Sequence, residues 1–194
     1  MILFINACVR QESRTLRLAK HLLSRMNDTV EEIRLEDLRF PVADETFLSR
    51  RDALIATGRF DDSLFEAARQ FAAADTIVIA APFWDLSFPS ALKQYYEQIN
   101  VLGITFAYQN DTPYGLCKAG KLYYVTTAGG PVYSDEYGFG YVKALSQTFY
   151  GIREIKCFKA ENLDIAGANV DGLIRKAIRE IDEAVLQGRQ VITY

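Results

Sequence analysis

The sequence predicts a doubly wound α/β sheet of five parallel strands in the order 2-1-3-4-5. Helices cover both faces, and one short hairpin or flap is inserted. Three observations carry this expectation. Short, almost wholly apolar runs recur along the chain, as strands buried on both faces require. Segments with apolar residues at helical spacing alternate with them, the pattern of parallel strands joined by right-handed crossovers. Glycine, proline and hydroxyl residues punctuate the joins. The 194 residues are 49% hydrophobic and 24% charged, ordinary for a globular chain able to bury a sizeable core, and a single domain over 1–194 is expected.

The elements follow in order. MILFIN (1–6) is a continuous apolar strand. SRTLRLAKHLLSRM (13–26) places Leu16, Ala19, Leu22, Leu23 and Met26 on one helical face, with Ser13 at the N-cap position. TVEEIRL (29–35) reads as a more exposed strand. DETFLSRRDALIAT (44–57) and DDSLFEAARQFAAA (61–74) read as helices split by Gly58. TIVIAAP (76–82) is the clearest buried strand. PSALKQYYEQINVL (89–102) is a helix with Pro89 near its first turn, where a missing N–H costs little. KLYYVTTAGG (121–130) is a strand ending in glycines, and GFGYVKALSQTFYG (138–151) a helix stopped by Gly151. IKCFKA (155–160) is the last strand and VDGLIRKAIREIDEAVLQG (170–188) the closing helix. The segment 105–121, TFAYQNDTPYGLCKAGK, alternates and then turns at Asn110-Asp111 and Pro113 to Gly115, which predicts the hairpin.

Bulk properties exclude several classes. A net charge of −3 argues against a nucleic-acid partner. No basic-then-apolar leader and no membrane-length apolar run are present, so a soluble cytoplasmic protein without membrane insertion is expected. Cys8, Cys117 and Cys157 are an odd set without metal spacing. His21, the only histidine, lies mid-helix in a surface role, so a Ser-His-Asp hydrolase and a histidine metal centre are not expected. No metal is expected, and no residue is singled out as catalytic.

Ligands of open parallel sheets sit beyond the carboxyl ends of the strands, at the switch point. Three loops converge there. NACVRQESRT offers the Ser13 and Thr15 hydroxyls, Arg10 and Arg14, and the open N–H groups of a helix N-terminus, which together suit an anion. APFWDLSFPS puts Phe83 and the only tryptophan, Trp84, directly after a buried strand, where they could stack on a flat ring or simply plug the strand end. TTAGGPVYSDEYGFG puts Gly129 and Gly130 where backbone N–H groups can approach a ligand. A phosphate at one end and a planar heterocycle at the other describe a mononucleotide with a flat ring, and FMN fits.

Those stretches carry a resemblance. APFWDLSFPSALKQYYEQI, GITFAYQNDTPYGL, YYVTTAGG and the FYGI after a helix resemble FMN-dependent NAD(P)H:quinone reductases and azoreductases of the flavodoxin-like superfamily, over nearly the whole chain. The resemblance implies that Ser13, Arg14 and Thr15 hold the FMN phosphate. It implies that Pro82, Phe83, Trp84, Asp85 and Leu86 line the isoalloxazine, and that Thr127, Ala128, Gly129 and Gly130 meet its pyrimidine and carbonyl edge. Tyr108 in the flap, with Tyr133, would cover a substrate, and the chain would be a homodimer with sites at the interface. NADH or NADPH would donate hydride and a quinone or azo acceptor would take it, in a ping-pong cycle in which the flavin carries the chemistry. The chain departs from the family pattern at Ala7 and Cys8, where serines are usual, at Asp85, where Asn is usual, and at Ala128, where some members carry a longer polar residue. An ionised Asp85 cannot donate from a side-chain amide and would disfavour a reduced anionic flavin.

Two rivals remain. Cys8, five residues, Arg14 and Thr15 resemble the nucleophile loop of low-molecular-weight tyrosine phosphatases, with Cys8 attacking and Arg14 clamping phosphate. That chemistry needs an Asp general acid in an Asp-Pro pair, and the chain has no Asp-Pro. A flavodoxin-like carrier of single electrons is the other rival, although such carriers lack the flap. The same fold with its site decayed is a last possibility.

Overall fold

The structure, a computed structural model, describes residues 1–190; residues 191–194 of the expected 1–194 domain lie outside the described residues. The elements are β1 (Ile2–Asn6), α1 (Arg14–Ser24), β2 (Val30–Arg34), α2 (Glu45–Ala56), α3 (Glu66–Ala73), β3 (Thr76–Ala80) and α4 (Ser90–Ile99). They continue with β4 (Phe106–Gln109), β5 (Thr112–Gly115), β6 (Lys121–Thr127), α5 (Phe139–Leu145), β7 (Glu154–Ala160) and α6 (Val170–Gln190). Five strands form one parallel sheet in the order β2-β1-β3-β6-β7. With the hairpin strands β4 and β5 set aside, this is the 2-1-3-4-5 order expected from the sequence.

The apolar runs divide residue by residue between two cores, because successive strand side chains point to opposite faces. Ile2, Phe4, Val78, Ala80 and Val125 pack against Leu18 and Leu22 of α1 and Ile174 and Ile181 of α6. Leu3, Ile5, Ile77, Ile79 and Tyr124 pack against Leu54, Phe71, Tyr95, Tyr96 and Val142 on the other face. Only Ile33 of edge strand β2 is buried, in keeping with the charged composition of that segment. His21 meets Asp182 of α6 at 2.9 Å, and Arg25 reaches the same oxygen at 2.7 Å, so the lone histidine staples α1 to α6.

Local chemistry sets the boundaries. The Ser13 hydroxyl accepts from the Leu16 N–H (3.2 Å) and caps α1, and Asp44 caps α2 through the Phe47 N–H (2.8 Å). Pro89 (φ −55°) is the N-cap residue of α4, next to its first turn as expected. The segment read as one helix over 138–151 is two pieces: α5 passes into a wider π turn, Ser146–Tyr150, which Gly151 ends at φ 72°. The expected flap is the antiparallel β4–β5 hairpin, turning through Asn110 (φ 50°) and Asp111 (φ 60°). It is seated by Phe106 on Phe149, with ring centroids 4.8 Å apart. A Cβ at Gly115 would collide with the Tyr150–Gly151 backbone, so the hairpin lies directly on the π turn.

Candidate functional site

A cavity of about 690 Å³ opens beyond the carboxyl ends of β1, β3 and β6. A second cavity of about 700 Å³ lies beside β2, lined by Ile33, Leu38, Phe40 and Leu64 among others. Volume does not separate the two, but position does: the chain leaves β1 toward β2 on one side and β3 on the other, so the first lies at the switch point.

The first loop is fixed from below. Asn6, nearly fully buried, donates to Glu32 (2.8 Å) and accepts from the Cys8 N–H (3.0 Å). The Ala7 N–H reaches the Ala80 carbonyl at 2.9 Å. Cys8 is therefore held under the loop, 5% exposed, its thiol 3.8 Å from the Ala80 carbonyl. Burial pushes that thiol up to about 11, the opposite of what a thiolate nucleophile needs. Cys8 does not line the cavity, and the phosphatase rival loses its nucleophile.

The second loop is a tight two-residue hairpin. Trp84 and Ser87 exchange backbone hydrogen bonds at 2.9 and 2.8 Å, and Asp85 and Leu86 between them have φ 51° and 66°. Positive φ at both central residues is the type I′ geometry, which favours Asn-Gly and strains a leucine. The hairpin is braced from both sides: the Phe83 N–H donates to Thr127 (3.0 Å) and the Ser87 hydroxyl to the Tyr137 carbonyl (2.5 Å). Phe83 is half-buried and Trp84 is 37% exposed.

The third loop is zipped to a fourth, which the sequence reading did not include. The N–H groups of Asn162, Leu163 and Asp164 donate to the carbonyls of Gly130 (3.1 Å), Ala128 (3.2 Å) and Gly129 (2.8 Å). Gly129 lines the cavity with its backbone. The space its missing Cβ leaves is filled by the Asp164 carboxylate. That carboxylate meets Arg14 Nη1 at 2.7 Å, while the same nitrogen lies 3.5 Å from the Leu163 carbonyl.

Of the residues expected at the site, Ser13, Arg14, Thr15, Pro82, Phe83, Trp84, Asp85, Thr127, Ala128 and Gly129 line this cavity together. Leu86, Gly130, Tyr108 and Tyr133 do not. Leu86 points out of the turn, 52% exposed, Tyr133 is 85% exposed, and Tyr108 stands on β4, 54% exposed. The hydroxyls of Thr15 and Thr127 face each other at 2.6 Å and are buried, so each is spent on the other across the α1–β6 seam. The lining also includes Val9, Arg10, Glu12, Leu163 and Asp164. Applying the switch-point rule to the end of the fifth parallel strand, as it was applied to the others, would have found the last two. Among the described residues no group of three or more His, Cys, Asp or Glu could hold a metal, and no helix is long and apolar enough to cross a membrane.

Comparison with known proteins gives the same fold. A family model described as the flavodoxin-like fold matches residues 1–185. An FMN-dependent NADH:quinone oxidoreductase of Clostridium perfringens is 33% identical over 190 residues, covering 92% of this chain and 94% of that protein. An FMN-dependent NADH:quinone oxidoreductase 2 of Clostridium acetobutylicum is 40% identical over 128 residues, 63% of this chain and 64% of that one. An FMN-dependent NADH-azoreductase from Bacillus anthracis, solved in complex with FMN, superposes with a TM-score of 0.80 at 27% identity, over 96% of this chain and 98% of that one.

Proposed function

This chain belongs to the flavodoxin-like fold family, among FMN-dependent NADH:quinone oxidoreductases and azoreductases, and on that premise we propose that it transfers hydride from NADH to quinones, azo compounds or similar flat acceptors. One observation of the molecule carries the reading. The switch-point cavity has an arginine- and hydroxyl-bearing end at Arg10, Ser13 and Arg14, with the Glu12 and Asp164 carboxylates beside them, and an aromatic end at Phe83 and Trp84, with backbone at Gly129 between the strand ends. A mononucleotide with a flat ring needs those two ends, and about 690 Å³ is of the size that takes one. The residues present therefore fit FMN. When bound, FMN supplies the hydride-accepting and hydride-donating centre that the side chains lack.

The chain's own contribution is binding and orientation. The start of α1 presents first-turn N–H groups and the Arg14 guanidinium to a phosphate. Thr15 and Thr127 act beneath that end as a structural clasp, so the phosphate contact at Thr15 falls to its backbone. Phe83 and Trp84 would wall the ring of a bound flavin, beside the strained Asp85–Leu86 turn. Asp85 brings a carboxylate to that wall. We infer a ping-pong order, in which donor and acceptor would use the cavity mouth beside the exposed Trp84 in turn.

Tyr108 and Tyr133 lie outside the cavity of a single chain. They support the homodimer reading, in which a flap reaches a neighbouring subunit's site. Both core clusters share one sheet, which supports a single-domain reading, and the cytoplasm is the compartment proposed. NADH is the donor named for the relatives, and it is the one proposed here. The test is steady-state oxidation of NADH by a benzoquinone with FMN present. FMN-dependent turnover supports the proposal; a protein that binds FMN and oxidises no NADH with quinone or azo dye overturns it.

A further inference from the structure

We infer that Asp164 is a positioning residue that gives the site its preference for a phosphorylated flavin, acting through Arg14. The inference rests on the reading of the cavity as an FMN site, and it deepens that reading. An ion pair between two exposed side chains would carry no such argument, because it is screened and pays to order both chains. Arg14 and Asp164 have side-chain exposures of 43% and 69%, but here one partner is not free to move. Three consecutive backbone hydrogen bonds lock Asn162, Leu163 and Asp164 onto Ala128, Gly129 and Gly130. The carboxylate occupies the space left by the absent Cβ of Gly129. Asp164 is thus a fixed post, built by β6 and β7, at the edge of the cavity.

Arg14 is the first residue of α1 and has a long, flexible side chain. It leans on that post through Nη1 alone, 2.7 Å from Asp164 Oδ1 and 3.5 Å from the Leu163 carbonyl. Among the described residues, its other guanidinium nitrogens are not engaged. A guanidinium held by one corner keeps its remaining donors in a fixed fork, the arrangement that reads phosphate oxygens bidentately. The carboxylate removes conformational freedom that phosphate binding would otherwise have to remove.

The test is equilibrium titration of the apoprotein with FMN and with riboflavin, followed by quenching of flavin fluorescence. It uses the wild type, Asp164→Asn, Arg14→Gln and the double variant, with Asp164→Ser as a second replacement should the amide disturb the turn. The expected result for Asp164→Asn is a loss of FMN affinity of about three- to tenfold, the scale of freeing one ordered side chain. Riboflavin affinity stays the same, and Asp164→Asn has no further effect in the Arg14→Gln background. Equal weakening of both ligands would reduce Asp164 to general structure. Tighter FMN binding would make it only a repelling charge, and additive losses would mean it acts without Arg14. An unchanged FMN affinity overturns the inference alone, whereas a wild type that binds no FMN overturns the function reading with it.

Discussion

Replacing Thr15 with Val removes one half of a buried hydroxyl pair and keeps its shape. The partner oxygen on Thr127 lies 2.6 Å away, and the two residues are 1% and 8% exposed. Stranding a buried hydroxyl costs about 1–3 kcal/mol. Thr127 is not wholly sealed, so the lower half applies to Thr15→Val, about 1–2 kcal/mol, whereas Thr127→Val strands the sealed Thr15 hydroxyl and costs about 2–3 kcal/mol. Removing both hydroxyls leaves two methyl groups in contact and no stranded oxygen, so Thr15→Val/Thr127→Val should cost less than the sum by about 1 kcal/mol or more. Thermal unfolding of the apoprotein followed by far-ultraviolet circular dichroism reads this as a fall of about 3–6 °C for Thr15→Val and about 6–9 °C for Thr127→Val. Urea midpoints at constant slope supply the free energies. Single variants indistinguishable from wild type, or a double variant equal to the sum, would refute the clasp and return both hydroxyls to the ligand.

Three further outcomes follow from named groups. Asp85→Asn takes a negative charge from the lining of the cavity and should raise the bound flavin's two-electron potential by about 15–30 mV, the scale of a charge interaction of about 1 kcal/mol near solvent; dye-equilibrated spectra that coincide with wild type would remove Asp85 from the argument. Cys8, its thiol pushed up to about 11 by burial, should resist iodoacetamide at pH 8 in the folded protein, and Cys8→Ser should leave FMN affinity unchanged; rapid alkylation at Cys8, or aryl phosphate hydrolysis abolished by Cys8→Ser, would restore the phosphatase reading. Asp75 is held down at about 2 by Lys118 and the Met1 amine, so it contributes stability above its usual value near 3.8 that is lost as pH falls toward 2; Asp75→Asn should flatten the acid limb of the stability curve in that window, and an unchanged limb would assign acid unfolding to other carboxylates.

Much of the fold was legible because parallel strands buried on both faces must be continuously apolar. ILFIN and TIVIA each send alternate residues to two cores, and their shortness and β-branched content favour strand over buried helix. The hairpin was legible from Asn110-Asp111, residues that accept positive φ. The turn at Asp85–Leu86 was not, because it uses a leucine where turn chemistry asks for glycine, and only tertiary bracing by Thr127 and Tyr137 holds it. The π turn at Ser146–Tyr150 keeps a helix's composition, so its periodicity conceals it.

At the site, the lining of the first three loops was legible from residue type at strand ends. The Thr15–Thr127 pair was not, since hydroxyls at a helix start and a strand end read as ligands until their mutual distance is known. Asp164 was missed for a different reason. ENLDIAGAN reads as an unremarkable loop, and its meaning lies in Arg14, 150 positions earlier, and in the empty Cβ position of Gly129.

The absorption spectrum of the purified protein, before and after release of its chromophore by heat, tests the central claim most directly. The account predicts a yellow protein, or an apoprotein that becomes yellow on adding FMN, releasing FMN at close to one per chain. A colourless protein that takes up no added FMN would contradict it.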